Sequence, residues 1–296
     1  MKKVLITGGT GLIGKRLSFL LKSRGYEVRI LSRSDRPKSY YQTFVWNVTE
    51  QYVNDSAFEG LNHIIHLAGA GIVDKRWSEK RKKEIIHSRV ASTNLLYNTV
   101  KRLETPLSSF ISASATGYYG SVTTKTIFEE VDKPATDFLG KVCSLWEDSI
   151  FQFNKIKIRT VAFRTGIVLS KDGGALKKMK TPIITPLGDG KQYMPWIHID
   201  DLCELYIKAI EDEQFKGAFN AVSSEHISNL SFSKKISKIF NHPFLAIGAP
   251  SFILQIVFGE MSTIILNGSR ISANKIKQAG FKFKFENLEK ALKNLR

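Results

Sequence analysis

Cysteine is nearly absent. The 296-residue chain has two, Cys143 and Cys203, with no CxxC pair and no histidine at a ligand spacing. That excludes a disulfide framework and gives no support to a zinc site, so no metal is expected. Proline is scarce too, at 8 residues, and aromatics make up 11% of the chain, which together exclude a largely disordered protein. Long apolar runs are missing. The stretch between Met1 and the first glycines is too short for the apolar core of a signal peptide. A later run, Phe252–Leu266, is interrupted by Gln255, Glu260 and Ser262, whereas a bilayer-spanning helix needs about 20 apolar residues. A cytoplasmic protein with no membrane partner is expected. Carboxylates are outnumbered, with 27 Asp and Glu against 44 Lys and Arg, for a formal net charge of +17. Such a balance suits nucleic acid or an anionic membrane surface. Here the lysines are spread along the chain and no nucleic-acid-binding motif accompanies them, so no nucleic-acid partner is expected. The densest cluster, Lys80-Arg81-Lys82-Lys83, lies in a helical stretch whose apolar side is Trp77, Ile85 and Ile86. It reads either as a solvated helix face or as a basic rim that steers an anionic ligand.

What is present is a rhythm. With 43% hydrophobic residues, the chain can bury a substantial core. Short β-rich runs at Val4–Thr7, Glu27–Arg33, Thr43–Val48, His63–Ala68, Ser109–Ser114 and Lys157–Arg164 alternate with helical stretches. The clearest of these are Leu12–Arg24, about Glu79–Leu103 and Phe138–Phe153. This βαβα order predicts a parallel, doubly wound α/β sheet of the Rossmann kind. After Gly166 the rhythm changes. Glycine-rich loops at 172–174 and 186–190 precede a helix at Ile199–Glu211, a strand at Gly217–Val222 and a mainly helical tail. The aromatic alternation at Gly280–Phe285 predicts one more short strand. Residues 1–166, with 196–222 returning to them, read as the sheet domain. Residues 167–195 and 223–296 read as a smaller C-terminal lobe.

The segment VLITGGTGLIG sits between the first strand and the first helix. Gly8 permits the tight turn, Gly11 lets backbone amides approach a pyrophosphate, and Gly14 lets helix and strand pack closely. The phosphates then meet the helix N-terminus, where unpaired N–H groups and the helix dipole favour anions. Thr10, Leu12 and Ile13 complete this candidate cradle, and Leu67, Ala68 and Gly69 after the fourth strand would face the same cofactor. Cofactor choice turns on the end of the second strand, Leu31-Ser32-Arg33. An arginine beside a hydroxyl suits the 2′-phosphate of NADP. Asp35, slightly further on, carries the competing NAD reading.

These residues resemble the extended short-chain dehydrogenase/reductase superfamily, on GGTGLIG, HLAGA at 66–70, SASATGYYG at 112–120 and WIHIDD at 196–201. More narrowly, the chain is similar to the atypical "epimerase family protein" branch, on RWSEKRKKEIIHSR at 76–89, FLGKVCSLWE at 138–147, RTGIVLSKDGGAL at 164–176 and GDGKQYMPWIHIDDL at 188–202. Some relatives in that branch carry a cell-division label, which no residue here derives. The resemblance implies a Ser, a Tyr-x-x-x-Lys pair that handles the proton and holds the nicotinamide ribose, and often an Asn. Ser114 matches the Ser. Aligned on Trp146-Glu147, the Tyr position falls on Leu139 and the Lys position on Cys143, and the Asn position is Arg89.

Tyr118 and Tyr119 are the phenols that could replace the missing pair, either as proton donors or as substrate packing. Cys143 reads as a buried apolar residue or as an activated thiol. Arg89 and Arg164 are candidates for anionic groups of the cofactor. Arg76, Trp77, Gln192, Trp196 and His198 are candidates to line a substrate pocket, with a structural hydrogen bond the plain alternative for His198. Asp200 and Asp201 are expected to cap or orient the helix that follows. Two functions are expected from different classes. One is an NADP-dependent oxidoreductase or epimerase on a small or nucleotide-linked substrate, as a monomer or homodimer. The other is a non-catalytic NADP-binding regulator.

Overall fold

The computed structural model describes residues 1–36 and 38–296. Among the described residues, twelve strands and ten α-helices are formed. The strands are β1 (Lys3–Thr7), β2 (Glu27–Ser32), β3 (Gln42–Asn47), β4 (Tyr52–Val53), β5 (His63–His66), β6 (Ser109–Ala115), β7 (Ile127–Phe128), β8 (Arg159–Thr165), β9 (Ile167–Ser170), β10 (Trp196–His198), β11 (Gly217–Ala221) and β12 (Arg270–Ile271). The helices are α1 (Leu12–Ser23), α2 (Glu79–Arg102), α3 (Phe138–Phe151), α4 (Gly174–Met179), α5 (Ile199–Glu211), α6 (Asn229–Phe240), α7 (Ser251–Phe258), α8 (Thr263–Leu266), α9 (Asn274–Gln278) and α10 (Leu288–Asn294).

Eight strands form one sheet in the order β11-β8-β6-β5-β1-β2-β3-β4, parallel except for the edge pair β3–β4. The doubly wound Rossmann expectation therefore holds. Alternation along β1 shows why both faces are covered. Val4 and Ile6 point into a cluster with Leu17 and Leu21 of α1 and Leu202, Leu205 and Tyr206 of α5. Leu5 points the other way, into a cluster with Leu95 and Leu96 of α2 and Trp146 and Ile150 of α3. A third cluster joins Trp196, Phe232, Ile236, Phe285 and Leu292 among the later elements.

Polar ties fix these layers. Arg16 of α1 pairs with Asp200 of α5 at 2.7 Å. The cap of α5 is His198, whose Nδ1 accepts from the Asp200 N–H at 3.1 Å. Asp201 holds the tail instead. Its carboxylate accepts from the backbone N–H groups of Lys284 and Phe285 at 2.8 and 2.9 Å. This corrects the expected Gly280–Phe285 strand, which does not form. Phe281 joins the first cluster and Phe285 the third. The aromatic alternation thus serves two cores, and a carboxylate replaces the neighbouring strand as hydrogen-bond acceptor.

Among the described residues three histidines are buried, and two of them brace the sheet. His63 Nδ1 lies 2.9 Å from Ser109 Oγ. His66 bridges Thr7 Oγ1 at 2.7 Å and Ser92 Oγ at 3.0 Å. The His198 ring lies against Phe285 at 3.8 Å. Burial pushes His63 and His198 down to about 4 and His66 down to about 3. In the unfolded chain each titrates near 6.5, so the unfolded state binds protons that the fold refuses. Stability should be full above about pH 6.5 and fall as pH drops toward 4. Denaturant midpoints measured across that range should decline, with proton uptake on unfolding approaching one per histidine. A flat profile would contradict this.

Candidate functional site

The turn from β1 into α1 is glycine because nothing larger fits. Gly8 has φ of 69°. A Cβ on Gly14 would stand 2.3 Å from the Gly8 carbonyl oxygen, so helix and turn touch backbone to backbone. Gly11 donates its N–H to that same oxygen at 2.9 Å. It also caps α1 in extended conformation, with no side-chain cap and no acidic residue in the first turn. The N–H groups of the half-buried Leu12 and Ile13 therefore stand as free donors at the positive end of the helix. Thr10 and Gly11 are exposed at this mouth. A dinucleotide pyrophosphate fits such a cradle, which asks for close backbone approach and free donors.

The floor of the site is built by Thr7. Its Oγ1 accepts from the N–H groups of Leu67 and Ala68 at 3.1 Å each, which pins the end of β5 beneath the turn. Next to them, Gly69 lies open against Arg89 of α2, and a Cβ there would be 3.3 Å from the guanidinium carbon. Arg89 is buried, donates from Nη1 to the Ala70 and Ile85 carbonyls at 3.0 Å, and lies 5.0 Å from the Trp146 ring. Burial pulls it down to about 10. Among the described residues it pairs with no carboxylate.

At the end of β2, Ser32 is buried and its Oγ accepts from Arg36 Nε at 3.2 Å. Arg33 and Arg36 are exposed, and neither forms an ion pair among the described residues. The sequence reading missed Arg36, although Ser32-Arg33-Ser34-Asp35-Arg36 places a second cation one turn's reach from the same hydroxyl.

The carboxyl ends of β6 and β8 carry a polar network in a dry setting. Ser114 Oγ donates to Glu147 Oε1 at 2.7 Å. Arg164 meets the same carboxylate through two donors, Nε to Oε1 at 2.9 Å and Nη2 to Oε2 at 2.8 Å. Arg164 Nη1 also donates to the Tyr119 hydroxyl at 2.9 Å and to the Glu130 carbonyl at 3.1 Å. The Tyr119 hydroxyl donates to Asn220 Oδ1 at 2.7 Å. The Tyr118 ring lies face-on to the Arg164 guanidinium, 3.4 Å from centroid to carbon. Burial raises both phenols above their ordinary value, and Arg164 pulls against the rise. The network gathers Ser114, Tyr118, Tyr119 and Arg164, all flagged from the sequence. Glu147, which joins them, was not flagged as a participant, because one carboxylate on an otherwise apolar helix face looks like a surface residue.

Leu139 and Cys143 stand on α3 beside this network. A Cβ on Gly117 would lie 3.3 Å from Leu139 Cβ and 3.7 Å from Cys143 Sγ. Cys143 is buried, and desolvation pushes its thiol up to about 12, so it stays protonated. The structure does not bring Gln192, Trp196 and His198 together with Ser114. Gln192 donates to the Leu187 and Ile265 carbonyls, Trp196 is fully buried in the third cluster, and His198 caps α5. Trp77 lies edge-on to Phe138 at 4.8 Å and donates to the Ile72 carbonyl. Arg76 is exposed, its guanidinium against the Gly259 backbone. The basic cluster divides. Arg81 is buried and pairs with Glu84 at 2.8 Å, Lys82 reaches Glu260 at 2.6 Å, and Lys80 and Lys83 are exposed.

Residues 4–139 match the NAD dependent epimerase/dehydratase family, and residues 249–295 match a domain of unknown function. Over its whole length the chain is 33% identical to an epimerase family protein of Staphylococcus aureus, covering 99% of that protein. The chain belongs to the epimerase family. A second family member, from Staphylococcus haemolyticus, is 34% identical with the same coverage. The human epimerase family protein solved with NADPH superposes with a TM-score of 0.87 at 28% identity, over 99% of this chain and 98% of that one. The fold is thus the NAD(P)-binding Rossmann fold of the short-chain dehydrogenase/reductase type, and no helix among the described residues is long and apolar enough to cross a membrane.

Removing Glu147 leaves Arg164 charged and unpaired in a buried site. The Glu147→Ala protein should lose about 3–5 kcal/mol of stability in urea unfolding. A loss below about 1 kcal/mol would show that the pair is solvated rather than buried.

Proposed function

We propose that this epimerase-family protein is an NADP-dependent oxidoreductase or epimerase acting at a carbonyl or hydroxyl carbon, with Ser114 and Tyr118 serving where the Tyr-x-x-x-Lys pair is missing. The observation that carries the cofactor assignment is the Ser32 hydroxyl flanked by two exposed arginines that form no ion pair among the described residues. Charge-assisted donors of this kind suit a 2′-phosphate. The N–H groups at the start of α1 would hold the pyrophosphate, and Leu67, Ala68 and Gly69 would line the path toward Ser114. The family member solved with NADPH supports the same reading. When bound, the nicotinamide supplies or accepts the hydride.

The chain's own residues manage the proton. Tyr118, kept protonated by burial, is the acid that neutralises charge developing on a substrate oxygen. Its ring rests on Arg164, which stabilises the phenolate left behind. Ser114 spends its hydrogen on Glu147, so its lone pairs face a substrate hydroxyl as acceptors. Tyr119 is a positioning residue, since its hydroxyl is engaged by Arg164 and Asn220. Arg89 supplies a cation beside Gly69. A non-catalytic NADP-binding regulator is the second reading. It is favoured by the inert, buried Cys143 and by Leu139 beside it.

Calorimetric titration should show NADPH binding more tightly than NADH. Replacing Arg33 and Arg36 together by Ala should weaken NADPH about 30-fold or more, as expected for about 2 kcal/mol of lost charge-assisted bonding, and leave NADH nearly unchanged. Tighter NADH binding by the unaltered protein would overturn the NADP assignment. Across a panel of carbonyl substrates, Tyr118→Phe should cut NADPH oxidation about 100-fold or more while preserving NADPH affinity. If the unaltered protein oxidises NADPH with no substrate in the panel, the regulator reading replaces the enzyme.

A further inference from the structure

Charge is unevenly placed on the C-terminal elements. From Gly173 to Gly188 and from His226 to Gly259 the chain has no aspartate or glutamate, yet it carries six lysines. Five of them, Lys177, Lys178, Lys180, Lys234 and Lys238, are exposed and form no ion pair among the described residues. The two segments are neighbours. Ile184 pairs with Phe244 and Leu187 with Ala249 in a short parallel ribbon. Lys180 lies 4.0 Å from the Phe240 ring and Lys234 5.9 Å from the Phe244 ring, which places the cations at the start of that ribbon.

The same surface is apolar. Ile184 and Phe244 face the third cluster, so Ile183, Leu245 and Ile247 stand on the outer face of the ribbon, and Ile247 is 74% exposed. At the ribbon's far end α7 begins. Its sequence SFILQIVF buries only Leu254, and leaves Phe252 at 63% and Ile256 at 70% exposure beside Ile253 and Val257. Residues 243–259 contain no charged side chain at all. Where this surface meets its surroundings, Glu260 and Asp189 are already paired, with Lys82 and Lys191. Exposed large apolar side chains gathered on neighbouring elements mark a docking surface.

We propose that this face docks on an anionic membrane surface, with α7 lying in the interfacial plane. The chemistry selects that occupant. An exposed apolar helix face with unpaired lysines around it is attracted to acidic headgroups and can bury its Phe and Ile side chains among the acyl chains. A second copy of this chain would bring the same unneutralised lysines against these. The inference is independent of the proposed chemistry. It goes beyond the expectation from the sequence of no membrane partner, because the absence of carboxylates is local to these two segments while the lysines of the whole chain are spread.

Co-sedimentation with vesicles tests it. The intact protein should bind vesicles of phosphatidylcholine mixed with phosphatidylglycerol and leave pure phosphatidylcholine vesicles unbound, with affinity falling as salt rises. Phe252→Asp with Ile256→Asp, and separately Lys177→Gln with Lys178→Gln and Lys180→Gln, should each weaken binding about tenfold or more while NADPH affinity is retained. No binding to acidic vesicles overturns the proposal. So does binding that survives the α7 replacements, or a dimer that those replacements dissociate, which would make the face an interface between copies.

Discussion

The polar network at the carboxyl ends of β6 and β8 depends on one buried ion pair. Arg164 of β8 meets Glu147 of α3 through two donors, with both side chains almost wholly removed from water. Neither charge could be buried alone, because each would lose its hydration with nothing in return. Satisfying the pair sets the rest. The carboxylate accepts a hydrogen bond from Ser114, the remaining guanidinium donors fix Tyr119 and the Glu130 loop, and the guanidinium face carries Tyr118. Helix α3 is thereby locked against β6 and β8, and Leu139 and Cys143 place apolar atoms beside the network.

The cofactor turn depends on a different constraint, steric rather than electrostatic. Gly14 can approach the Gly8 carbonyl only without a side chain, and that approach aims the open end of α1 over the sheet. The two sites are joined by buried hydrogen bonds. Thr7 holds Leu67 and Ala68, and His66 ties Thr7 to Ser92 of α2, one turn beyond Arg89.

The central sheet was legible because its strands are apolar runs separated by amphipathic helices, and because glycine spacing at 8, 11 and 14 has a steric meaning that a single sequence displays. The short strands β4, β7, β9, β10 and β12 were not, since two to four residues carry no period. The Gly280–Phe285 segment misled because an alternating aromatic pattern reports two buried faces, not the identity of the hydrogen-bond acceptor, which here is Asp201. At the site, Ser114, Tyr118, Tyr119 and Arg164 could be named from their places after strands, but their mutual arrangement required Glu147, and nothing local in FLGKVCSLWE says that its carboxylate turns inward. Trp196 and His198 stood in a motif that looked like a pocket wall, and their side chains are spent on packing and capping instead.

The most direct measurement is a crystal structure of the protein with NADPH bound. The account predicts the 2′-phosphate against Ser32, Arg33 and Arg36, the pyrophosphate on the N–H groups of Leu12 and Ile13, and the nicotinamide facing Ser114 and Tyr118. A ribose held by Asp35 away from the arginines, or a nicotinamide turned away from Tyr118, would contradict it.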